Sequence, residues 1–342
     1  MTRVEGIEVS VVTQWLGGRL DIESPLDFEV IAGGRSNLTY LVTDARGRRL
    51  ILRRPPLHGV LASAHDMGRE HRIIRALERT AVPVPTCLGF EPDAAVTGAP
   101  FYVMTYVDGS VVRDAPAAER LTVAARRTAA DSLVDVLVTI HAVDPDEIGL
   151  GDLARRDSYI VRQLRRWQAQ LHHAATHDRR LLDEIHDRLA AAIPDQVGTT
   201  IVHGDYRLDN LVVDPDTGAV RAVLDWELTT LGDPLADVGL LAVYWAATDE
   251  PVELFGQATT LPGFPGSSEL VARYARLSGR DVSDLGFYLA FGYWKLACIL
   301  EGVYQRQRLG AYGKVHRDTD VLWTAVRQLA QRAADHAREA GR

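Results

Sequence analysis

The chain has 342 residues, of which 46% are hydrophobic and 25% are charged, and its formal net charge is −8. This composition is typical of a soluble globular protein with one large or two modest domains. The sequence has no run of about 18 apolar residues and no apolar signal segment after Met1, so neither a membrane-spanning nor a secreted protein is expected.

Cysteine content and charge distribution indicate the compartment and the kind of partner. Two cysteines, Cys87 and Cys298, cannot form a disulfide framework that stabilises a chain of this size, which favours a reducing, cytoplasmic compartment. Basic and acidic residues balance within residues 1–105, so the negative excess lies in residues 106–342. An acidic second half argues against nucleic acid as a partner. No pattern in the sequence predicts an oligomeric state.

Residues 1–107 predict a small, mostly β domain with a leading helix over residues 7–20. Short apolar runs bounded by Gly and Pro predict strands, and one amphipathic stretch predicts a helix that crosses the sheet. The strands are expected over residues 28–31, 38–43, 49–53, 86–90 and 101–107, and the crossing helix over residues 67–79.

A glycine-rich tip joins the first two strands and consists of Gly33, Gly34, Arg35, Ser36 and Asn37. Small residues at such a tip let backbone N–H groups approach phosphate oxygens, which predicts nucleotide binding. The tip matches neither the dinucleotide-binding pattern nor the Walker pattern. A plain β-turn of the same composition is the alternative.

The third strand and the crossing helix supply a candidate ion pair. Arg53 is the cation at the strand position of interest, and Arg54 points to the opposite face. Glu70 is the expected partner that holds Arg53 against the α- and β-phosphates of a nucleotide. Kinases usually have lysine here; arginine keeps the charge but is longer and planar. The alternative is a surface ion pair that contributes about 0–1 kcal/mol.

A hinge is expected at Val107–Gly109, because apolar spacing is helical almost throughout after it. Met104, Tyr106 and Val107 are the candidate contacts for an adenine edge. The chain is thus predicted to be α+β, with residues 1–107 as the N-terminal lobe and residues 108–342 as a larger helical lobe. Helices are expected over residues 117–142, 159–171, 181–192, 235–246, 268–277, 282–306 and 319–340.

The β interruption of the helical half carries a His-x-Asp-x-x-x-x-Asn pattern in the loop 201–210, with His203, Asp205 and Asn210. This spacing is that of a kinase catalytic loop, in which the aspartate orients and deprotonates the attacking hydroxyl and the asparagine holds a metal ion. Asp205 is therefore the predicted catalytic base, or else a carboxylate that only anchors its loop. Arg207 either stabilises the transferring phosphoryl group or forms a salt bridge with Asp209.

A second loop, residues 224–237, is expected to complete the metal site. Apolar runs on both sides of Asp214–Gly218 predict a β-hairpin that folds Asp225 back beside Asn210. One carboxylate and one amide oxygen suit Mg²⁺, which keeps several waters and takes its other ligands from ATP phosphates. Glu227 is a candidate for a second metal ion, or else a solvated carboxylate in a turn.

Other residues of the helical half have weaker assignments. Tyr244 and Trp294 are candidates for lining an acceptor pocket, with burial in the core as the alternative. His173 and His177 have the spacing of a metal pair, but no Glu-x-x-His pattern accompanies them, so a solvated face is expected. Asp233 and Asp237 are expected to cap the helix that begins near Pro234 and to tie the catalytic loop in place.

Together these residues resemble the aminoglycoside phosphotransferase family, which shares the protein-kinase-like fold with choline kinases and homoserine kinases of that type. The resemblance covers about Phe28 to Gln307 and depends most on His203–Asn210 and on Leu224–Glu227 followed by Gly232–Pro234. It implies a two-lobed kinase fold whose activity depends on ATP and Mg²⁺.

Within that family the chain is similar to the kinase-like domains attached to acyl-CoA dehydrogenases. The matching segments are Leu52–Pro56, Ala64–Asp66 with Arg69 and Glu70, and Trp226–Pro234. This branch suggests a small-molecule hydroxyl acceptor, namely a hydroxyacyl compound, free or as its CoA thioester.

Two alternatives to that function stay open. An aminoglycoside acceptor would suit an acidic second half, because aminoglycosides are polycations. A nucleotide-binding pseudokinase that acts as a regulatory module is suggested by Arg53 in the usual lysine position. The presence of Asp205, Asn210 and Asp225 argues against the pseudokinase.

Overall fold

The computed structural model describes residues 4–31, 37–57, 66–174, 179–245, 257–308 and 319–340. The chain forms two compact units. The N-terminal unit consists of Met1–Gly109 and Arg221–Glu227, and the helical unit consists of Ser110–Val220 and Leu228–Arg342. No helix in the described ranges is long and apolar enough to cross a membrane.

The N-terminal unit is built on a five-stranded antiparallel sheet in the order β1-β2-β3-β5-β4. The strands are β1 (Asp27–Val30), β2 (Leu38–Thr43), β3 (Arg49–Arg54), β4 (Cys87–Glu91) and β5 (Phe101–Thr105). The predicted leading helix is α1 (Val9–Gly17) and the predicted crossing helix is α2 (Met67–Leu77). Asp66 caps α2, because its side chain accepts the Arg69 N–H at 2.9 Å.

Alternation along β3 decides what each face of the sheet carries. Leu52 packs with Trp15 of α1 in the apolar core. Arg54 is also buried, and its guanidinium donates to backbone carbonyl oxygens, among them that of Thr97 at 2.6 Å. Arg53 takes the opposite face, where it meets Glu70 of α2. The opposite orientations of the two arginines agree with the prediction.

The helical unit contains eight of the ten α-helices among the described residues. They are α3 (Ala115–Glu119), α4 (Val123–Ala142), α5 (Tyr159–Ala174), α6 (Arg180–Ala191), α7 (Leu235–Tyr244), α8 (Ser267–Ser278), α9 (Leu285–Arg308) and α10 (Thr319–Ala340). Helix α9 is central, because α5, α6, α7 and α10 all pack against it. The single helix expected over residues 117–142 is wrong: Thr122 starts a new helix by accepting the Ala125 N–H at 3.0 Å.

The segment that contains the predicted catalytic residues runs between two short strands of the helical unit, β6 (Thr200–Val202) and β9 (Thr230–Gly232), which pair antiparallel. A 3₁₀ turn (Leu208–Asn210) and the strands β7 (Leu211–Val213) and β8 (Val220–Val223) lie between them. The predicted turn after β7 is present: the Asp214 carboxylate accepts the N–H groups of Asp216 and Thr217, each at 2.9 Å. The described elements confirm the predicted α+β class.

Candidate active site

An aspartate of α7 fixes the loop that follows β6. Asp237 accepts the His203 N–H at 2.7 Å and the Gly204 N–H at 2.8 Å. His203 is fully buried, and its Nδ1 accepts the Asp205 N–H at 3.3 Å. Two consecutive backbone N–H groups are therefore bound to one carboxylate immediately before the candidate base. The predicted tie between Asp237 and this loop is present.

Gly204 is required by the backbone at this point. Its φ is +84°, a conformation that residues with a side chain rarely adopt. A Cβ atom on Gly204 would also lie 2.8 Å from the backbone oxygen of Leu228. The loop therefore follows a path that only glycine permits.

The anchor of the loop is a buried carboxylate beside a neutral imidazole. Nε2 of His141 lies 3.3 Å from Asp237, and its Nδ1 lies 2.7 Å from the Tyr274 hydroxyl. Burial lowers the pKa of His141, so the ring is neutral at pH 7. Burial alone would raise the pKa of Asp237, but hydrogen bonds from His141 and from the Gly204 N–H outweigh it and lower that pKa. Asp237 thus stays ionised.

Two side chains hold the carboxylate of Asp205. The Tyr244 hydroxyl donates to Oδ1 at 2.9 Å, and the Asn210 amide donates to Oδ2 at 3.1 Å. The same amide donates to the Asp205 backbone oxygen at 2.8 Å. Asn210 thus directs its NH₂ group toward Asp205, and its Oδ1 is the atom suited to a hard cation. Burial raises the pKa of Tyr244, so the hydroxyl remains a donor.

Of the two roles predicted for Arg207, the structure shows the ion pair with Asp209. Both its Nε and its Nη2 donate to the Asp209 carboxylate. Its guanidinium also stacks on the Tyr244 ring, 4.5 Å from the ring centroid. The Arg207–Asp209 salt bridge is therefore the arrangement in this structure, while contact with a phosphoryl group stays a prediction.

A shallow, open cleft adjoins this part of the helical unit. Arg207, Asp209 and Tyr244 contribute to its wall, so the cleft lies beside the residues that surround Asp205. Arg113 supplies a second guanidinium. The remaining lining residues are mostly apolar: Val112, Leu208, Leu241, Trp245, Ala258 and Thr259.

The second cluster of predicted site residues lies in the N-terminal unit around Arg53. Its Nε is 3.3 Å from Glu70, and its Nη2 contacts Asp225 and lies 3.8 Å from Glu227. Asn37 completes the cluster by donating to Glu227 at 2.9 Å. The predicted Arg53–Glu70 pair is present; the contact with Asp225 is an addition that the sequence does not reveal.

Charge in this cluster favours a further cation. Burial alone would lower the pKa of Arg53, but the nearby carboxylates of Glu70 and Asp225 raise it well above its usual value. Burial raises the pKa of Glu70, and Arg53 opposes that shift. Within the described residues, no His, Cys, Asp and Glu side chains form a metal-binding group by themselves. Three carboxylates around one guanidinium leave negative charge in formal excess.

Asp225 has an unusual backbone conformation, with φ at +66°. Positive φ is uncommon for residues other than glycine, although aspartate tolerates it better than most. Such conformations concentrate at functional sites, where the surrounding structure maintains them. Glu227 is largely buried, with 16% of its side chain exposed, so the solvated turn carboxylate is wrong, while the role as a metal ligand stays a prediction.

The remaining predicted nucleotide contacts are only partly described. Met104 is buried in β5, and Tyr106 and Val107 are half-buried after it. The guanidinium of Arg49 stacks 4.2 Å from the Tyr106 ring centroid. Gly33, Gly34, Arg35 and Ser36 lie outside the described residues, as do Ala64, His65 and His177.

Trp294 is wrongly predicted as a residue that lines an acceptor pocket. Its side chain is fully buried in α9, and its Nε1 donates to the Leu182 backbone oxygen at 2.9 Å. An aromatic residue on a helix has the same sequence pattern whether it faces the core or a cleft. Sequence reasoning also missed Lys295, whose Nζ donates to the Gly204 backbone oxygen at 2.8 Å. Its signal was a rare lysine within an apolar helical stretch.

Comparison with protein families gives a match over most of the chain. The model of the phosphotransferase enzyme family (APH) matches residues 27–270. A mouse protein named acyl-CoA dehydrogenase family member 10 is 37% identical over 311 residues, which cover 89% of this chain and 29% of that protein. The chain spans 29% to 40% of the length of such curated relatives.

Solved structures show the same fold. A Ralstonia eutropha protein provisionally described as an aminoglycoside phosphotransferase is 30% identical, with a TM-score of 0.80 and coverage of 97% of this chain and 98% of that chain. A mutant of aminoglycoside phosphotransferase APH(4)-Ia, in a ternary complex with AMP-PNP and hygromycin B, is 16% identical, with a TM-score of 0.62. That match covers 97% of this chain and 99% of the other, and it shows likeness of fold alone.

Proposed function

This chain belongs to the phosphotransferase enzyme family, and we propose that it transfers the γ-phosphoryl group of ATP to a hydroxyl group of a small molecule. The observation that carries the proposal is the Asp205 carboxylate, held by Tyr244 and Asn210 in a loop that Asp237 anchors. An aspartate held in this way can orient an acceptor hydroxyl and take its proton late in the transfer.

Asn210 and Asp225 are the proposed protein ligands of Mg²⁺. Their oxygen chemistry, their spacing in the sequence and the excess of carboxylates around Arg53 support the assignment. When bound, Mg²⁺ neutralises charge on the β- and γ-phosphate oxygens. Arg53 would then exchange its contact with Asp225 for a nucleotide phosphate, while Glu70 keeps the guanidinium in place.

The remaining nucleotide contacts are proposed from the sequence. The backbone of the tip Gly33–Asn37 would bind phosphate oxygens, and the segment Met104–Val107 would meet the adenine edge. Arg207 would contribute to charge stabilisation at the transferring group by exchanging part of its bond to Asp209.

The cleft beside Asp205 favours a hydroxyacyl compound as the acceptor, free or as its CoA thioester. Among the described residues its lining combines apolar side chains with two arginines, Arg113 and Arg207, and one carboxylate, Asp209. An acyl chain would pack on the apolar side chains, and a carboxylate or phosphate group on the acceptor would be attracted by the two guanidinium groups. A polycationic aminoglycoside would be repelled by the same two guanidinium groups.

Replacement of Asp205 by Asn tests the reaction. The variant should bind ATP normally but lose about 10²–10⁴-fold in turnover, because the carboxylate that accepts the proton is gone. The matched control is Asp216→Asn, at the exposed turn after β7. ADP release measures turnover, and ATP titration measures binding. Full turnover by Asp205→Asn would contradict the proposal.

A panel of acceptors tests the substrate class. ADP release should be measured with hydroxyacyl-CoA thioesters, free hydroxy acids, aminoglycosides, choline and homoserine at one ATP concentration. Stimulation by hydroxyacyl compounds is the expected result. Stimulation by aminoglycosides alone would assign the polycationic acceptor instead.

A pseudokinase is the second candidate, because Arg53 occupies the usual lysine position and already binds the Asp225 carboxylate. Calorimetric titration of ATP with and without Mg²⁺ separates the two functions when it is combined with the acceptor panel. Nucleotide binding that Mg²⁺ does not strengthen, together with the absence of turnover on every acceptor, would favour the regulatory module.

A further inference from the structure

Lys295 is a buried cation with no role in the reaction described so far. It lies in the middle of α9, and only 5% of the residue is exposed. The chain has 38 cationic residues and only two are lysines, so a lysine at this buried position is unusual for this sequence. Burial of an ammonium group is costly unless polar groups and charges compensate it.

The partners of Lys295 identify what the ammonium group does. Its Nζ donates to the backbone oxygen of Gly204 at 2.8 Å and lies 5.6 Å from the Trp167 ring centroid, within cation–π range. Burial lowers the pKa of Lys295, and the negative charges of Asp205 and Asp237 oppose that shift. The ammonium group thus lies in the field of two carboxylates, that of Asp205 in the loop and that of Asp237 on α7.

Both peptide groups of Gly204 are held by buried charged side chains. Its N–H is bound by Asp237 of α7, and its C=O is bound by Lys295 of α9. The bound carbonyl belongs to the peptide that leads directly into Asp205. Gly204 has a positive φ, and glycine is the residue with the greatest freedom to turn about its backbone bonds. Without a bond to its carbonyl, this peptide would be held only through the Asp205 N–H, which His203 accepts at 3.3 Å, and the direction of the following carboxylate would be less firmly fixed.

We propose that Lys295 is a positioning residue, which fixes the peptide between Gly204 and Asp205 and so holds the Asp205 carboxylate in the direction that the acceptor hydroxyl requires. This inference rests on the proposed phosphotransfer for its kinetic consequence. Lys295 does not touch the reacting atoms. It acts through the loop, and α9 is a rigid support because four other helices pack against it.

The kinetic test uses Lys295→Met, which keeps an unbranched side chain, one atom shorter, and removes its charge and its donor. A misplaced catalytic group is expected to lower kcat by about 10–100-fold. The KM for ATP should change by no more than about twofold, because the nucleotide contacts are untouched. The matched control is Arg126→Met, also a buried cation that donates to backbone oxygens, those of Ala118 and Pro262. Its kcat should equal that of the unaltered protein.

Hydrogen exchange provides a readout that does not depend on activity. In the ligand-free protein, amides of the segment 201–210 should exchange faster in Lys295→Met than in the unaltered chain, while those of α4 exchange at the same rate. Should Lys295→Met not fold, Lys295→Gln replaces it in both measurements. Equal exchange over 201–210, or an unchanged kcat, would overturn the positioning role.

The two proposals fail in different ways. If the unaltered protein releases no ADP with any acceptor, the phosphotransfer proposal fails, and exchange over 201–210 still decides whether Lys295 fixes the loop. If the unaltered protein is active and Lys295→Met is equally active, the proposed function stands and the inference about Lys295 fails.

Discussion

At Arg53 the chain has a guanidinium where kinases usually have lysine, and three carboxylates lie within 3.8 Å of it. Arginine suits this arrangement because its planar fork can bind more than one carboxylate, whereas an ammonium group acts as a point charge. The arginine at the usual lysine position therefore matches the number of carboxylates that surround it. Glu70, with 1% of its side chain exposed, depends most on this cation.

Replacement of Arg53 by Met should lower the free energy of unfolding by about 3–5 kcal/mol, because buried Glu70 loses its cation. Arg53→Lys should cost less, since the charge remains. Urea denaturation of both variants measures the difference. Arg54→Met is the matched control, because that neighbouring arginine is buried against backbone oxygens rather than carboxylates. Equal stability of Arg53→Met and Arg53→Lys would contradict the assigned role of the charge.

For single residues, contacts that follow from the periodicity of one strand or helix were predictable from the sequence. Contacts between elements that are distant in the sequence were not. The Arg53–Glu70 pair follows from a strand position and a helix position that periodicity reveals. The contact between Arg53 and Asp225 joins residues 172 positions apart, and that of Lys295 with Gly204 joins residues 91 apart. Such contacts depend on how elements pack, which a hydrophobic pattern does not encode.

Among the elements, the loop after β6 carries the tightest backbone requirement. Gly204 combines a φ of +84° with a neighbouring backbone oxygen 2.8 Å from where a Cβ would lie. Gly47, at the turn between β2 and β3, has a similar φ of +80° but no atom within 4 Å of such a Cβ. Substitutions at these two glycines therefore distinguish two costs in stability: that of a positive φ alone, at Gly47, and that of a positive φ together with a clash between Cβ and a backbone oxygen, at Gly204.

Gly47→Ala should cost roughly 1–2 kcal/mol of stability, the usual penalty for a left-handed residue with a side chain. Gly204→Ala should cost more, because a backbone oxygen cannot move aside as a side chain can, and kcat should fall because the loop shifts. Urea denaturation and ADP release measure the two effects. If both variants were equally stable and equally active, the close approach at Gly204 would have no consequence.

The anchor of this loop on α7 predicts acid sensitivity. Burial lowers the pKa of His141 below the value of about 6.5 that it has in the unfolded chain. Between these two pKa values the unfolded chain binds a proton that the folded chain does not, so stability falls as pH drops below about 6.5. The melting temperature should therefore decrease between pH 7 and pH 5, and His141→Gln should reduce that decrease. An unchanged pH dependence in His141→Gln would assign the effect to other groups.

Over the whole molecule, the N-terminal unit is discontinuous in sequence. It takes Arg221–Glu227 from a position far beyond its other residues. This short segment supplies Asp225 and Glu227 to the Arg53 cluster and Trp226 to the interior, where Trp226 is fully buried. The α+β class was predictable from the order of strands and helices. The discontinuity was not, because the segment is too short to have a periodic pattern of its own.

A fragment that ends at Gly109 should therefore lack cooperative unfolding, because it lacks Trp226 and two carboxylate partners of Arg53. The matched control is the same fragment with residues 221–227 joined through a flexible Gly/Ser linker. Thermal unfolding followed by circular dichroism compares them, and the joined form should show the sharper transition. Equal, cooperative transitions would show that the first 109 residues fold without the segment.

This discontinuity also bears on synthesis of the chain by the ribosome. About 110 residues must be translated between Gly109 and Arg221, which takes roughly 6–22 s at about 5–20 residues per second. During that interval Arg53 of the nascent N-terminal unit lacks the carboxylates of Asp225 and Glu227. The first 109 residues therefore cannot complete their unit at the time they are made, and chaperones that bind nascent chains have those seconds in which to act.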